Sequence, residues 1–146
     1  MKLGIDKDLM GSFPSGVLFG IVAVLTLDTI GAYLSQRLRF PYSRLSPISF
    51  CFWATSAAIA SWSAISDPAK SIGLGWLSGF VVGLVDSTVG WWISWQLGAG
   101  RLRPELITTR RIAKIIFRVT MLAAGIGTVA VLLLLMVTKL IGQNTR

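Results

Sequence analysis

The chain of 146 residues is 53% apolar and only 14% charged, with a mean hydropathy of +0.71, and carries 14 Lys and Arg against 6 Asp and Glu for a net charge of +8. Soluble domains hold about 25% charged residues, so this balance excludes an ordinary water-soluble domain and points to lipid. With no histidine and a single cysteine, Cys51, the commonest metal ligand and general base are missing and no intrachain disulfide can form. The expectation is a protein without metal or cofactor that is not an enzyme. Its surplus cations are read as span-flanking residues that meet anionic lipid headgroups rather than nucleic acid.

The first apolar segment, 13–34, starts where Ser12 can cap a helix and Pro14 fits its first turn. Asp6 and Asp8 offset Lys2 and Lys7 ahead of it, and it outruns a signal-peptide core, so it reads as a retained span. Arg37, Arg39 and Arg44 follow. The second segment, 47–65, is opened by Ser46-Pro47 as N-cap and first helical residue and closed by a turn at Asp67-Pro68. The third, 72–97, gives way to a loop with Gly98, Gly100, Arg101, Arg103 and Pro104. Thr109 can cap the fourth helix, whose basic start of Arg110, Arg111, Lys114 and Arg118 precedes a long apolar run; its span is set at 113–141.

These elements predict an all-α fold: a polytopic protein with four transmembrane helices in a single transmembrane domain over 1–146. Nine basic residues fall on the side of the 1–2 and 3–4 loops and five on the other. The positive-inside rule then makes both termini non-cytoplasmic, in a bacterial inner membrane or an equivalent energy-converting membrane. Arg37, Arg39, Arg44, Arg101, Arg103, Arg110, Arg111 and Lys114 are the expected headgroup contacts. Trp91, Trp92 and Trp95 at one depth, and Trp62 and Trp76 at the other, suit the two interfaces.

Segments one and three align without gaps at an offset of 59 residues. Gly16, Gly20, Thr29, Gly31 and Ser35 match Gly75, Gly79, Thr88, Gly90 and Ser94, and four further apolar positions are identical. Two tandem two-helix hairpins are the preferred explanation. On a helical wheel Gly75, Gly79, Gly83, Gly90 and Ser94 fall within an arc of about 100°. Gly16, Gly20, Gly31 and Ser35 make the corresponding seam in the first segment. Such stripes let backbones approach in lipid, where no hydrophobic force drives association. The two seams are expected to pack on each other or each to meet a partner chain.

Asp86 sits on the third segment's seam and Asp28 at the edge of the first. A carboxylate at this depth costs several kcal/mol unless protonated, paired or hydrated. The two acids do not occupy equivalent repeat positions: Asp28 aligns with Ser87, and Asp86 with Leu27. Three roles compete: polar glue bonded to Thr29, Ser87 or Thr88, an ion pair with Arg118, or an ion pathway. The glycine seams favour a non-enzymatic structural or accessory subunit of a membrane complex, with lipid and either other subunits or self-association as partners. The alternative is a small oligomeric proton, ion or solute transporter or channel that uses Asp86 and Asp28. A water-filled cavity reaching Asp86 would favour the transporter, and a dry seam the subunit. A lipid- or pigment-binding accessory role is the third reading.

Overall fold

The computed structural model describes residues 7–99 and 108–144, with side chains for 12–99 and 108–143. The expectations placed on Lys2, Asp6, Arg101, Arg103 and Arg146 lie outside the described residues. Among those described, the chain is helical without strands. Three stretches are long and apolar enough to cross a membrane: Ser12–Arg37, Pro68–Gln96 and Thr109–Gln143.

Helix α1 covers Lys7–Arg37, so Pro14 lies inside it and Ser12 is not its cap. Instead the Ser12 hydroxyl reaches across to the Ala60 carbonyl (3.4 Å) and the Ser63 hydroxyl (2.6 Å). A 3₁₀ turn at Tyr42–Leu45 runs directly into α2, Ser46–Ser61, which places Leu45 rather than Ser46 at the cap, with a proline at the start of the helix as expected. A second 3₁₀ turn, Trp62–Ala64, extends α2. Helix α3, Pro68–Val85, starts four residues earlier than its apolar pattern implies, because the Asp67 carboxylate accepts the Lys70 N–H at 3.2 Å and Pro68 is pre-set for a first turn. A π turn, Asp86–Gly90, joins α3 to α4, Trp91–Gln96. Helix α5 spans Thr109–Asn144; Thr108 precedes it and its carbonyl accepts the N–H groups of Arg111 and Ile112.

The 59-residue offset reappears in the backbone. At the end of α1, Arg39 turns left-handed (φ 53°), and the Phe40 N–H closes on the Ser35 carbonyl at 3.1 Å. At the end of α4, Gly98 turns left-handed (φ 71°), and the Ala99 N–H closes on the Ser94 carbonyl at 2.9 Å. Thr29 and Thr88 likewise bond back to the carbonyls of Leu25 and Leu84. The Gln36 amide then donates to the Leu97 carbonyl, tying the two helix ends together.

Helices α2 and α3 form the short diagonal of a rhombus. Both touch α1 and α5, while α1 and α5 do not pack on one another over the described residues. The seams do not meet, contrary to the expectation. A Cβ on Gly16 would strike the Ala60 nitrogen and the Ser56 carbonyl (2.5 and 2.7 Å), so α1 uses its seam against α2. Gly75, Gly79 and Gly83 lie against Val131, Ala123 and Thr120, so α3 uses its seam against α5. Both seams are filled within the chain: the first by α2 and the turn before it, and the other by α5 as far as Gly83 and by α1 at Gly90. Val24, Trp53, Val82 and Ala123 form the core between them. Buried serines bridge the helices: Ser56 donates to the Gly16 carbonyl at 2.8 Å and lies 2.9 Å from the Ser78 hydroxyl.

Candidate functional site

The π turn decides where the acids go. Upstream of it, Gly75, Gly79 and Gly83 face α5; within it, Gly90 and Asp86 face α1. Single widened turns of this kind are rare and are frequent at functional sites. Asp28 is 5% exposed, with its Oδ2 against the Cα of Gly90, where any Cβ would overlap it. The same Cβ would lie 3.1 Å from Asp86 Oδ1. The two carboxyl groups therefore converge over one glycine and touch each other.

Two aromatic side chains complete the cluster. The Tyr42 hydroxyl, from the turn ahead of α2, donates to Asp28 Oδ1. Burial, then the hydrogen-bonded Asp28 carboxylate, hold this phenol well above its ordinary value, so it remains a donor. Trp53 of α2 is 3% exposed, and its indole N–H faces Asp86 without completing a hydrogen bond. Asp28 Oδ2 likewise receives no N–H or O–H. Buried polar groups are almost always satisfied, so two such atoms on side chains that both meet Asp86 set this cluster apart from the packed core.

Two cavities flank the pair and share Asp28, Tyr42, Ser46, Asp86 and Val119 in their walls. One, of about 270 Å³, lies between α2 and α5 and adds Ser49, Phe50, Trp53 and Leu122. The other, of about 470 Å³, runs toward the ends of α1 and α4 and adds Ser43, Ser87, Trp91, Ser94, Trp95 and Ile115. Trp91 and Trp95 stack there with centroids 6.1 Å apart and planes within 7°.

Arg118 is exposed on α5 and lines neither cavity; no cation among the described residues contacts either carboxyl. The wheel brought Arg118 to the right depth but not to the right face. The hydroxyls expected to act as glue are engaged elsewhere: Thr29 with Leu25, Thr88 with Leu84, and Ser87 with Leu84 and Thr120. Ser35 and Ser94 bond back along their own helices, to Ala32 and Gly90. Arg37, Arg39, Arg44, Arg110, Arg111 and Lys114 are all exposed. Gly20 lies against Ser56 and Val82, and Gly31 against Leu45 and Tyr42.

Comparison with protein-family models, with curated protein sequences and with solved structures finds no match for this chain. Its chemistry has to be read from the site itself. Two carboxyls in contact repel when both are ionised and are stabilised by a proton or another cation between them, the more so out of water. Tyr42 and Trp53 were not singled out by the sequence. Trp53 carried a signal, since it lies nine residues from Arg44, as Asp28 lies nine from Arg37. That sets both about 13 Å deep, where an indole N–H needs a partner that lipid does not supply.

Proposed function

We propose that this protein is a small integral membrane carrier or channel for protons or other cations, with the Asp28–Asp86 carboxyl pair as its binding site. The observation that carries the reading is the contact of two acids, lacking any cation among the described residues, in the shared walls of two cavities. A transport site needs a buried charge, a route to it and a reason to release what it holds. The pair supplies the first, the cavities the second, and competition between a proton and another cation for the same oxygens the third.

The chain is read as four spans. α2 and its 3₁₀ extension cover Ser46–Ala64, about 30 Å at 1.5 and 2.0 Å per residue, which equals the hydrocarbon thickness. Residues 119–138 of α5 are uncharged between Arg118 and Lys139, again about 30 Å. The paired helix ends at Arg39 and Gly98 support two tandem hairpins, α1–α2 and α3–α5. Basic residues gather at the end where Gln36 meets Leu97, which favours that end inside and both termini non-cytoplasmic. An accessory-subunit role remains the second reading, and it then rests on the lipid-facing surfaces, since the glycine seams are filled within the chain.

Reconstitution in liposomes containing a pH-sensitive dye tests the proposal. Under an imposed proton gradient and membrane potential, the wild-type protein is expected to carry a flux that Asp28→Asn and Asp86→Asn each abolish. Gly125→Ala, at a position with open space around it, is expected to retain it. A flux unchanged in Asp86→Asn would sink the proposal.

A further inference from the structure

Two carboxyls in contact require positive charge, and the walls around them set the shape of what carries it. The larger cavity, at about 470 Å³, falls in the range of sites for small organic molecules and far exceeds a bare ion. A hard metal ion takes six or more oxygen ligands; among the described residues no third carboxylate joins Asp28 and Asp86 to hold one, and two indoles line the wall beside them. The parallel indoles of Trp91 and Trp95 stand in one cavity, and Trp53 packs with Phe50 (centroids 5.2 Å apart) in the other. Aromatic faces beside carboxylates attract a cation through the negative face of the ring as well as by direct charge. Asp28, nine-tenths buried with Oδ2 unpartnered, lines both cavities, and Trp53, equally buried with its N–H unpartnered, lines the smaller one.

We infer that the site binds a monovalent organic ammonium with an aromatic body, its charged head on the Asp28–Asp86 pair and its body against Trp91 and Trp95. The inference rests on the carboxyl pair being the cation site and adds the class of cation. A quaternary head suits the site because it has no N–H to satisfy and is held by charge on the two carboxyls and by the ring faces. The indoles supply contact area that an inorganic ion does not use.

The test is equilibrium binding of radiolabelled benzyltrimethylammonium to the full chain in lipid nanodiscs. Saturable binding of one molecule per chain is expected. Asp28→Asn and Asp86→Asn should each weaken it by about tenfold or more, the loss of a charge-assisted contact out of water. Trp91→Ala and Trp95→Ala should each weaken it by about two- to fivefold, while Trp95→Phe, which keeps an aromatic face, should bind within about twofold of wild type. Tetramethylammonium should compete more weakly, and the neutral isostere neopentylbenzene should not compete at all. Binding that is unsaturable, or indifferent to Asp86→Asn and Trp95→Ala in folded protein, overturns the inference. If proton flux depends on both aspartates but benzyltrimethylammonium does not bind, the organic-cation inference fails and the carboxyl-pair reading stands. If flux and binding are both absent, both fail.

Discussion

Gly90 is where the account is most exposed to a single substitution. Its φ of −61° is ordinary for a helix, so Gly90→Ala meets no backbone objection, and on propensity alone alanine gains about 1 kcal/mol. The added Cβ, however, overlaps Asp28 Oδ2 and lies 2.9 Å from its Cγ and 3.1 Å from Asp86 Oδ1. The Asp28 carboxyl must swing away, and Tyr42 holds it in place. Overpacking costs about 1–3 kcal/mol, and losing the Tyr42 hydrogen bond to a buried carboxylate costs about 1.5–3. The net destabilisation is about 1.5–5 kcal/mol. Gly125→Ala, with nothing within 4 Å, keeps only the propensity gain and should be neutral or stabilised by up to about 1 kcal/mol. Unfolding in mixed micelles, followed by tryptophan fluorescence, compares the two. In an Asp28→Ala background the overlap is gone, so the cost of Gly90→Ala should fall by about 2 kcal/mol or more, a coupling only direct contact produces. Equal stability of Gly90→Ala and Gly125→Ala would refute the packing of Asp28 on Gly90.

Other substitutions separate the site from its scaffold. Asp28→Asn and Asp86→Asn each replace one member of a repelling pair with an amide that donates to the other, so each variant is expected to unfold no earlier than wild type while losing flux. Tyr42→Phe removes the donor to Asp28 Oδ1 and should cost about 1–3 kcal/mol in the same unfolding assay. Because the folded phenol is held above its ordinary value of 10.0, the stability tied to its neutral form is intact below that pH and is lost as pH rises past it. The alkaline fall in stability should therefore be shallower in Tyr42→Phe than in wild type. Arg39→Gly relieves a left-handed residue that carries a Cβ and should stabilise by about 1 kcal/mol, whereas Gly98→Ala at the equivalent turn should cost about as much.

The helices and their order were legible in the sequence because each is written as a strongly apolar run between cations or turn residues, as Val119–Thr138 is between Arg118 and Lys139. The matched pairs Gly31 with Gly90 and Ser35 with Ser94 lie ahead of helix ends that turn alike, at Arg39 and Gly98. What the glycines pack against was not, since a wheel gives the face of one helix and not the identity of its neighbour. Seam residues such as Gly16 and Gly79 met α2 and α5 rather than each other. The meeting of Asp28 and Asp86 was hidden for a related reason. Their registers differ by one position in the repeat, and the widened turn at Asp86–Gly90, which no residue type announces, brings them together. Arg118 shows the same limit, with the right depth and the wrong side of its helix.

The proposed transport requires Asp28 and Asp86 to act as one site. The chain has five aspartates, Asp6, Asp8, Asp28, Asp67 and Asp86, few enough for each side-chain carboxyl to be assigned by carbon-13 NMR in nanodiscs with single Asp→Asn variants. A pH titration is expected to show Asp28 and Asp86 titrating as a coupled pair, with both resonances responding in both steps. In Asp86→Asn the Asp28 resonance should collapse to a single step, and the converse should hold for Asp28→Asn. Two independent single-step titrations, each unchanged when the other residue is replaced, would contradict the shared site.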